Sequence, residues 1–108
     1  MMLESPWVFA IDERKLQENI PQVVFLMGIP ILLLRKSGET LAISNKCAHM
    51  ACPLAEGTLE GYTITCPCHD WRFDVRTGEF LDAKEIRIPT YELKLSDGKI
   101  FVKIEGRE

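Results

Sequence analysis

All four cysteines and both histidines of this 108-residue chain fall between residues 47 and 69. They stand as Cys47-Ala48-His49 and Cys66-Pro67-Cys68-His69, with Cys52 between the two groups. Random placement would scatter six such residues along the chain, so the confinement points to one site built from thiolate and imidazole. A fold that serves such a site must bring two loops together, each offering one sulfur and one nitrogen. A site of that composition is most simply a metal centre, because soft thiolates and imidazoles are the ligands of zinc, copper and iron.

The spacing separates the candidates. Zinc sites with two cysteines and two histidines usually pair like with like, as C-x2–4-C followed by H-x3–5-H. Here each pair is mixed: Cys47 and His49 form C-x-H, and Cys66 and His69 form C-x-x-H. A Rieske-type [2Fe–2S] centre requires two thiolates on one iron and two imidazoles on the other, which a mixed pair on each loop supplies. A four-cysteine plant-type cluster opens C-x4-C-x2-C. Cys47 and Cys52 fit its first step, but Ala55 stands where its third cysteine belongs. A structural zinc module that ties two loops together, without redox activity, is the reading that spacing alone leaves open.

Residues 46 to 74, from Lys46-Cys47-Ala48-His49 through Cys66-Pro67-Cys68-His69-Asp70-Trp71-Arg72-Phe73-Asp74, resemble the two ligand boxes of the Rieske [2Fe–2S] family. The resemblance implies that Cys47 and Cys66 bind the inner iron while His49 and His69 bind the outer one. It also implies a role for Cys52 and Cys68, which occupy the positions of a disulfide linking the cluster loops in Rieske proteins of quinol-oxidising complexes. Such a bridge would contribute at most about 3 kcal/mol through chain entropy, and less where a cluster already joins the loops. Two reduced, buried thiols are the alternative, and the ordinary state in a reducing cytosol.

High-potential members of that family follow the second histidine with Gly-Ser-x-Tyr, whose hydroxyls donate hydrogen bonds to sulfur. This chain has Asp70-Trp71-Arg72-Phe73, so both donors are missing. Hydrogen bonding to sulfur is one of the levers that raise the potential. The expectation is a midpoint in the lower part of the Rieske range, whose lower end is about −150 mV. Asp70 in place of glycine is expected to tolerate a left-handed backbone better than most residues would.

A chain of this length makes one domain that buries roughly two-thirds of its unfolded surface, with no room for a flavin domain. A net charge of −3 and the absence of a basic run exclude nucleic acid as an expected partner. The longest apolar stretch, Val23 to Leu34, is 12 residues and is interrupted by Gly28 and Pro30, short of the ~20 a membrane helix needs. With no leader evident at Met1–Pro6, the expected location is cytoplasmic. The resemblance then implies an electron carrier rather than an enzyme: the ferredoxin component that relays electrons from a flavin-dependent reductase to a non-haem iron oxygenase. The small Rieske subunit of assimilatory nitrite reductases is the alternative.

Along the chain the signals are short strands and tight turns. Tyr91, Leu93 and Leu95 alternate with charged residues up to Asp97-Gly98, after which Ile100, Val102 and Ile104 resume the pattern, as in a hairpin. Ser37-Gly38, Gly61 and Thr77-Gly78 mark further turns. One helical turn is expected at Asp12–Glu18, with Asp12 as its cap. Phe25–Leu34 reads as buried core strand and Trp7 as a core anchor of the first strand. The fold class is all-β: a Rieske-like antiparallel β-sandwich or barrel base, residues 5–45 and 80–107, with a cluster-binding subdomain inserted at 46–79.

Overall fold

The computed structural model describes residues 6–47, 52–68 and 70–104. Its elements are β1 (Trp7–Asp12), β2 (Gln22–Leu26), β3 (Ile29–Lys36), β4 (Glu39–Ser44), β5 (Thr58–Glu60), β6 (Thr63–Thr65), β7 (Arg72–Asp74), β8 (Glu79–Phe80), β9 (Ala83–Arg87), β10 (Leu93–Ser96) and β11 (Lys99–Lys103). Short 3-10 turns occupy Glu13–Lys15 and Leu54–Glu56, and no α-helix occurs among the described residues. The strands form three sheets, ordered β1-β11-β10, β2-β3-β4 and β5-β6-β7-β8-β9, and every strand pairing is antiparallel.

Turn chemistry sets the hairpins. Ser37-Gly38 and Asp97-Gly98 both hold positive φ at two successive residues, the conformation that two-residue hairpin turns require. Glu18 caps the first of these turns, its carboxylate accepting from the backbone N–H groups of Ser37 and Gly38. A third turn of this kind falls at Met27-Gly28 and splits the apolar run into β2 and β3.

β3 has no polar face because it is the shared wall of two cores. Alternation along a strand sends successive side chains to opposite faces. Ile31 and Leu33 pack with Leu16, Leu26, Ala42, Ile100 and Val102, whereas Leu32 and Leu34 pack with Ile43, Cys47, Leu54, Ile64, Cys66 and Phe73. The sheet β2-β3-β4 thus lies between the β1-β11-β10 sheet and the segment that carries the cysteines.

Three expectations need correction. Asp12 precedes a 3-10 turn of three residues only, and its side chain makes no capping hydrogen bond. Trp7 is half-buried and outside both cores; the ammonium groups of Lys94 and Lys103 lie 4.8 and 6.0 Å from its ring centroid, a cation–π anchor. Phe25 and Met27 are exposed at 71% and 75%, because the hairpin turns back at Met27-Gly28 instead of continuing as a buried strand.

Candidate metal centre

Each cysteine loop is closed by backbone hydrogen bonds at its base. At the first, β4 ends at Ser44 and the chain passes through the buried Asn45, whose N–H donates to the Pro30 carbonyl. Asn45 also accepts twice: its backbone carbonyl from Leu54 N–H (3.1 Å) and its side-chain oxygen from Ala55 N–H (2.9 Å). Lys46 bridges Pro53, and the Cys47 N–H donates to the Cys52 carbonyl at 2.9 Å. Residues 45–47 are therefore tied to residues 52–55.

The second loop is tighter. Cys66 N–H donates to the Trp71 carbonyl at 2.7 Å, and Asp70 N–H donates back to the Cys66 carbonyl at 3.1 Å. Asp70 has φ 60°, a left-handed conformation that aspartate tolerates better than most residues. Below the loop, Trp71 stacks on Phe80 with ring centroids 4.2 Å apart, and Phe73 packs against both rings. Trp71 is half-buried while Phe73 is inaccessible to solvent, so this aromatic wall excludes water from one side of the cysteine loops.

Cys47 and Cys66, at 3% and 1% exposure, belong to the same buried cluster and take no part in a disulfide. Cys52 and Cys68 are joined by a disulfide across 16 residues of sequence, with their Cα atoms 6.5 Å apart. That bond withdraws two of the four sulfurs from metal ligation. The candidate ligands His49 and His69 lie outside the described residues. The described donor set, two desolvated thiols on separate loops, fits one iron of a [2Fe–2S] cluster, for which thiolates are the preferred ligands.

With this site in view, comparison with known proteins is decisive: the model of the Rieske [2Fe-2S] domain matches residues 6–92. The chain belongs to the Rieske [2Fe–2S] domain family. The family's [2Fe–2S] cluster is its cofactor. The chain is 33% identical, over 94% of its own length and 99% of the relative's, to the ferredoxin component of the naphthalene 1,2-dioxygenase system of Pseudomonas aeruginosa. It is similar to the solved ferredoxin of carbazole 1,9a-dioxygenase from Nocardioides aromaticivorans IC177, with a TM-score of 0.84 and 26% identity over 94% of this chain and 100% of that one. It also matches a chain in the solved complex of reduced oxygenase and oxidised ferredoxin in carbazole 1,9a-dioxygenase, with a TM-score of 0.85 and 25% identity over 97% and 99% of the two chains.

Three positioning residues had weak sequence signals. Asn45 immediately precedes the Lys46-Cys47 box and ties the first loop to β3 and to the Leu54–Glu56 turn. Phe80 supplies the surface on which Trp71 stacks. Gly57 lets the first loop lie against β6, since a Cβ there would collide with the Thr65 carbonyl next to Cys66. An asparagine ahead of a ligand box and a glycine shortly after it were the available hints.

The hydroxyl deficit beside the cysteines leads to a prediction. Trp71→Ser should raise the midpoint potential in a redox titration, by adding a donor near sulfur and admitting water where the indole stood. An unchanged potential would mean that the missing hydroxyl does not set its level.

The turn after β7 carries a carboxylate whose pKa is lowered, Asp74. Burial alone would raise the Asp74 pKa, but Arg76 outweighs it and holds the carboxyl below its ordinary value of 3.8. Arg76 donates from its backbone N–H (2.8 Å), Nε (3.1 Å) and Nη2 (3.1 Å), and its guanidinium also covers the Tyr62 ring. A lowered carboxyl pKa stabilises the fold above the ordinary value, and that contribution is lost as pH falls through the lowered one. The thermal midpoint of Asp74→Asn should therefore lie below that of the parent at pH 7, and the gap should close on acidification past the carboxylate range.

Proposed function

We propose that this chain is the ferredoxin component of a multicomponent oxygenase system, a one-electron carrier with no catalytic site of its own. The observation that carries the reading is the pair of buried thiols, Cys47 and Cys66, on separately braced loops in a chain that matches a dioxygenase ferredoxin component over 94% of its length. When bound, the [2Fe–2S] cluster supplies one-electron redox chemistry.

The chain's own residues do the rest. Cys47 and Cys66 would hold one iron, and His49 and His69 the other. The backbone bonds at Cys47 and Cys66 brace the main chain that carries each thiol, and Trp71 and Phe80 pack in the hydrophobic core that buries both. Asp70, in its left-handed conformation, turns the chain sharply just after His69. The acceptor would be the terminal oxygenase, as the solved complex of oxygenase and ferredoxin in carbazole 1,9a-dioxygenase supports, and the donor would be a flavin-dependent reductase. The same reading places the carrier in the cytoplasm; no helix among the described residues is long and apolar enough to cross a membrane.

The test is the low-temperature electron paramagnetic resonance spectrum of the dithionite-reduced protein. Mixed cysteine and histidine ligation gives a lower average g value than four cysteines do, and that signal is the expected result. A silent, colourless protein that contains zinc would overturn the reading.

A further inference from the structure

Three sulfur atoms meet beside the candidate cluster position. The Sγ atoms of Cys52, Cys66 and Cys68 all lie within 4.8 Å of one another. Two of them form the disulfide, and the third belongs to a thiol proposed above as an iron ligand. Their burial is graded: Cys66 is buried, Cys52 half-buried and Cys68 exposed. While Cys66 holds iron, its sulfur is engaged. Without the cluster, a thiol stands within a few ångströms of a disulfide, and thiol–disulfide exchange needs only a thiolate that reaches one of the two sulfurs. Prior placement of the reacting atoms makes such a step effectively unimolecular, with the large advantage that proximity gives.

We propose that these three cysteines form a thiol–disulfide exchange site that works when the cluster is absent; the inference rests on the assignment of Cys66 as a cluster ligand. The Cys66 thiolate attacks the Cys52 sulfur, a Cys52–Cys66 bond forms as the Cys52–Cys68 bond breaks, and Cys68 leaves as a thiolate that takes up the proton given up by Cys66. One disulfide exists before and after, and no oxidant or reductant is consumed. Attack on Cys52 is favoured over attack on Cys68 for two reasons. A Cys66–Cys68 bridge would close a small ring across Pro67 and strain disulfide geometry. The departing Cys68 sulfur is exposed, so water stabilises its charge. The outcome is a latch: the proposed ligand is withdrawn into a disulfide, and the reactive thiol moves from the interior to the surface.

The experiment starts from holoprotein whose paramagnetic signal has been recorded, which separates failure of the cluster reading from failure of this one. Iron is removed anaerobically with a chelator at neutral pH, the protein is treated with iodoacetamide without reductant, and the digest is analysed by mass spectrometry. Holoprotein should give only the Cys52–Cys68 cross-linked peptide. Apoprotein should give the Cys52–Cys66 cross-link with Cys68 alkylated. Apoprotein that keeps Cys52–Cys68 and is alkylated at Cys66 after denaturation would overturn the proposal, as would holoprotein with no disulfide. In Cys66→Ala the attacking thiol is gone, so Cys68 should stay unlabelled; labelling at Cys68 there would show that the bond opens by another route and would also overturn it.

Discussion

Replacing His69 with alanine or cysteine is expected to abolish the Rieske paramagnetic signal. His69 itself lies outside the described residues, but the residues around it are fixed by two reciprocal bonds, Cys66 N–H to the Trp71 carbonyl and Asp70 N–H to the Cys66 carbonyl. Alanine removes a ligand outright, and the expected result is loss of the cluster from purified protein. Cysteine substitutes a charged thiolate for a neutral imidazole, and net charge is among the properties that set a cluster's potential. Because His49 still ligates that iron, a cluster retained by His69→Cys should show a spectrum between the Rieske and all-cysteine types and a lower midpoint. An unaltered Rieske spectrum in either variant would show that His69 is not a ligand, and the assignment of His49 would have to be reopened with it.

The second large effect is expected at Gly57. An added Cβ would collide with the Thr65 carbonyl, and Thr65 is paired on both sides, with Thr58 in β5 and Arg72 in β7. Backbone on both sides of the contact is committed, so neither partner moves without breaking pairing. Gly57→Ala should cost roughly 3 kcal/mol, the upper part of the range for overpacking. In a protein of this size that lowers the thermal midpoint by on the order of 10 °C or more. Gly61→Ala is the matched control: its φ of 61° makes alanine unfavourable, but nothing lies within 4 Å of the added carbon. It should cost only about 1–2 kcal/mol, the price of a left-handed residue in open space. Calorimetry on the two variants separates collision from conformational strain. If they lose the same stability, the close approach at Thr65 is not what requires glycine.

How much was legible depended on whether a local signal existed. The all-β class and the Ser37-Gly38 and Asp97-Gly98 hairpins could be read because positive φ demands particular residues, and those residues are present. The turn at Met27-Gly28 was concealed, because methionine carries no turn signal and the strand that follows is apolar on both faces. The exposure of Phe25 and Met27 follows from that hidden turn. Asp12 looked like a cap from its residue type alone, yet capping depends on where its carboxylate points, and here it makes no such bond. At the site, residue types revealed the chemistry, since cysteine and histidine have few other reasons to cluster. The braces at Asn45, Phe80 and Gly57 act through partners that are distant in sequence or lie across a sheet, and one-dimensional spacing does not encode those contacts.

The two-sided burial of β3 determines how this molecule opens. An amide in Leu32 or Leu34 lies between the cysteine-bearing side and the opposite sheet, so exposing it to water requires both cores to part together. Hydrogen exchange along β3 should then report only the global opening reaction. A rise in exchange at these amides after iron removal would mean that the cluster supports the far side of the molecule as well, and that a carrier which has lost its iron is a marked target for proteolysis throughout its length.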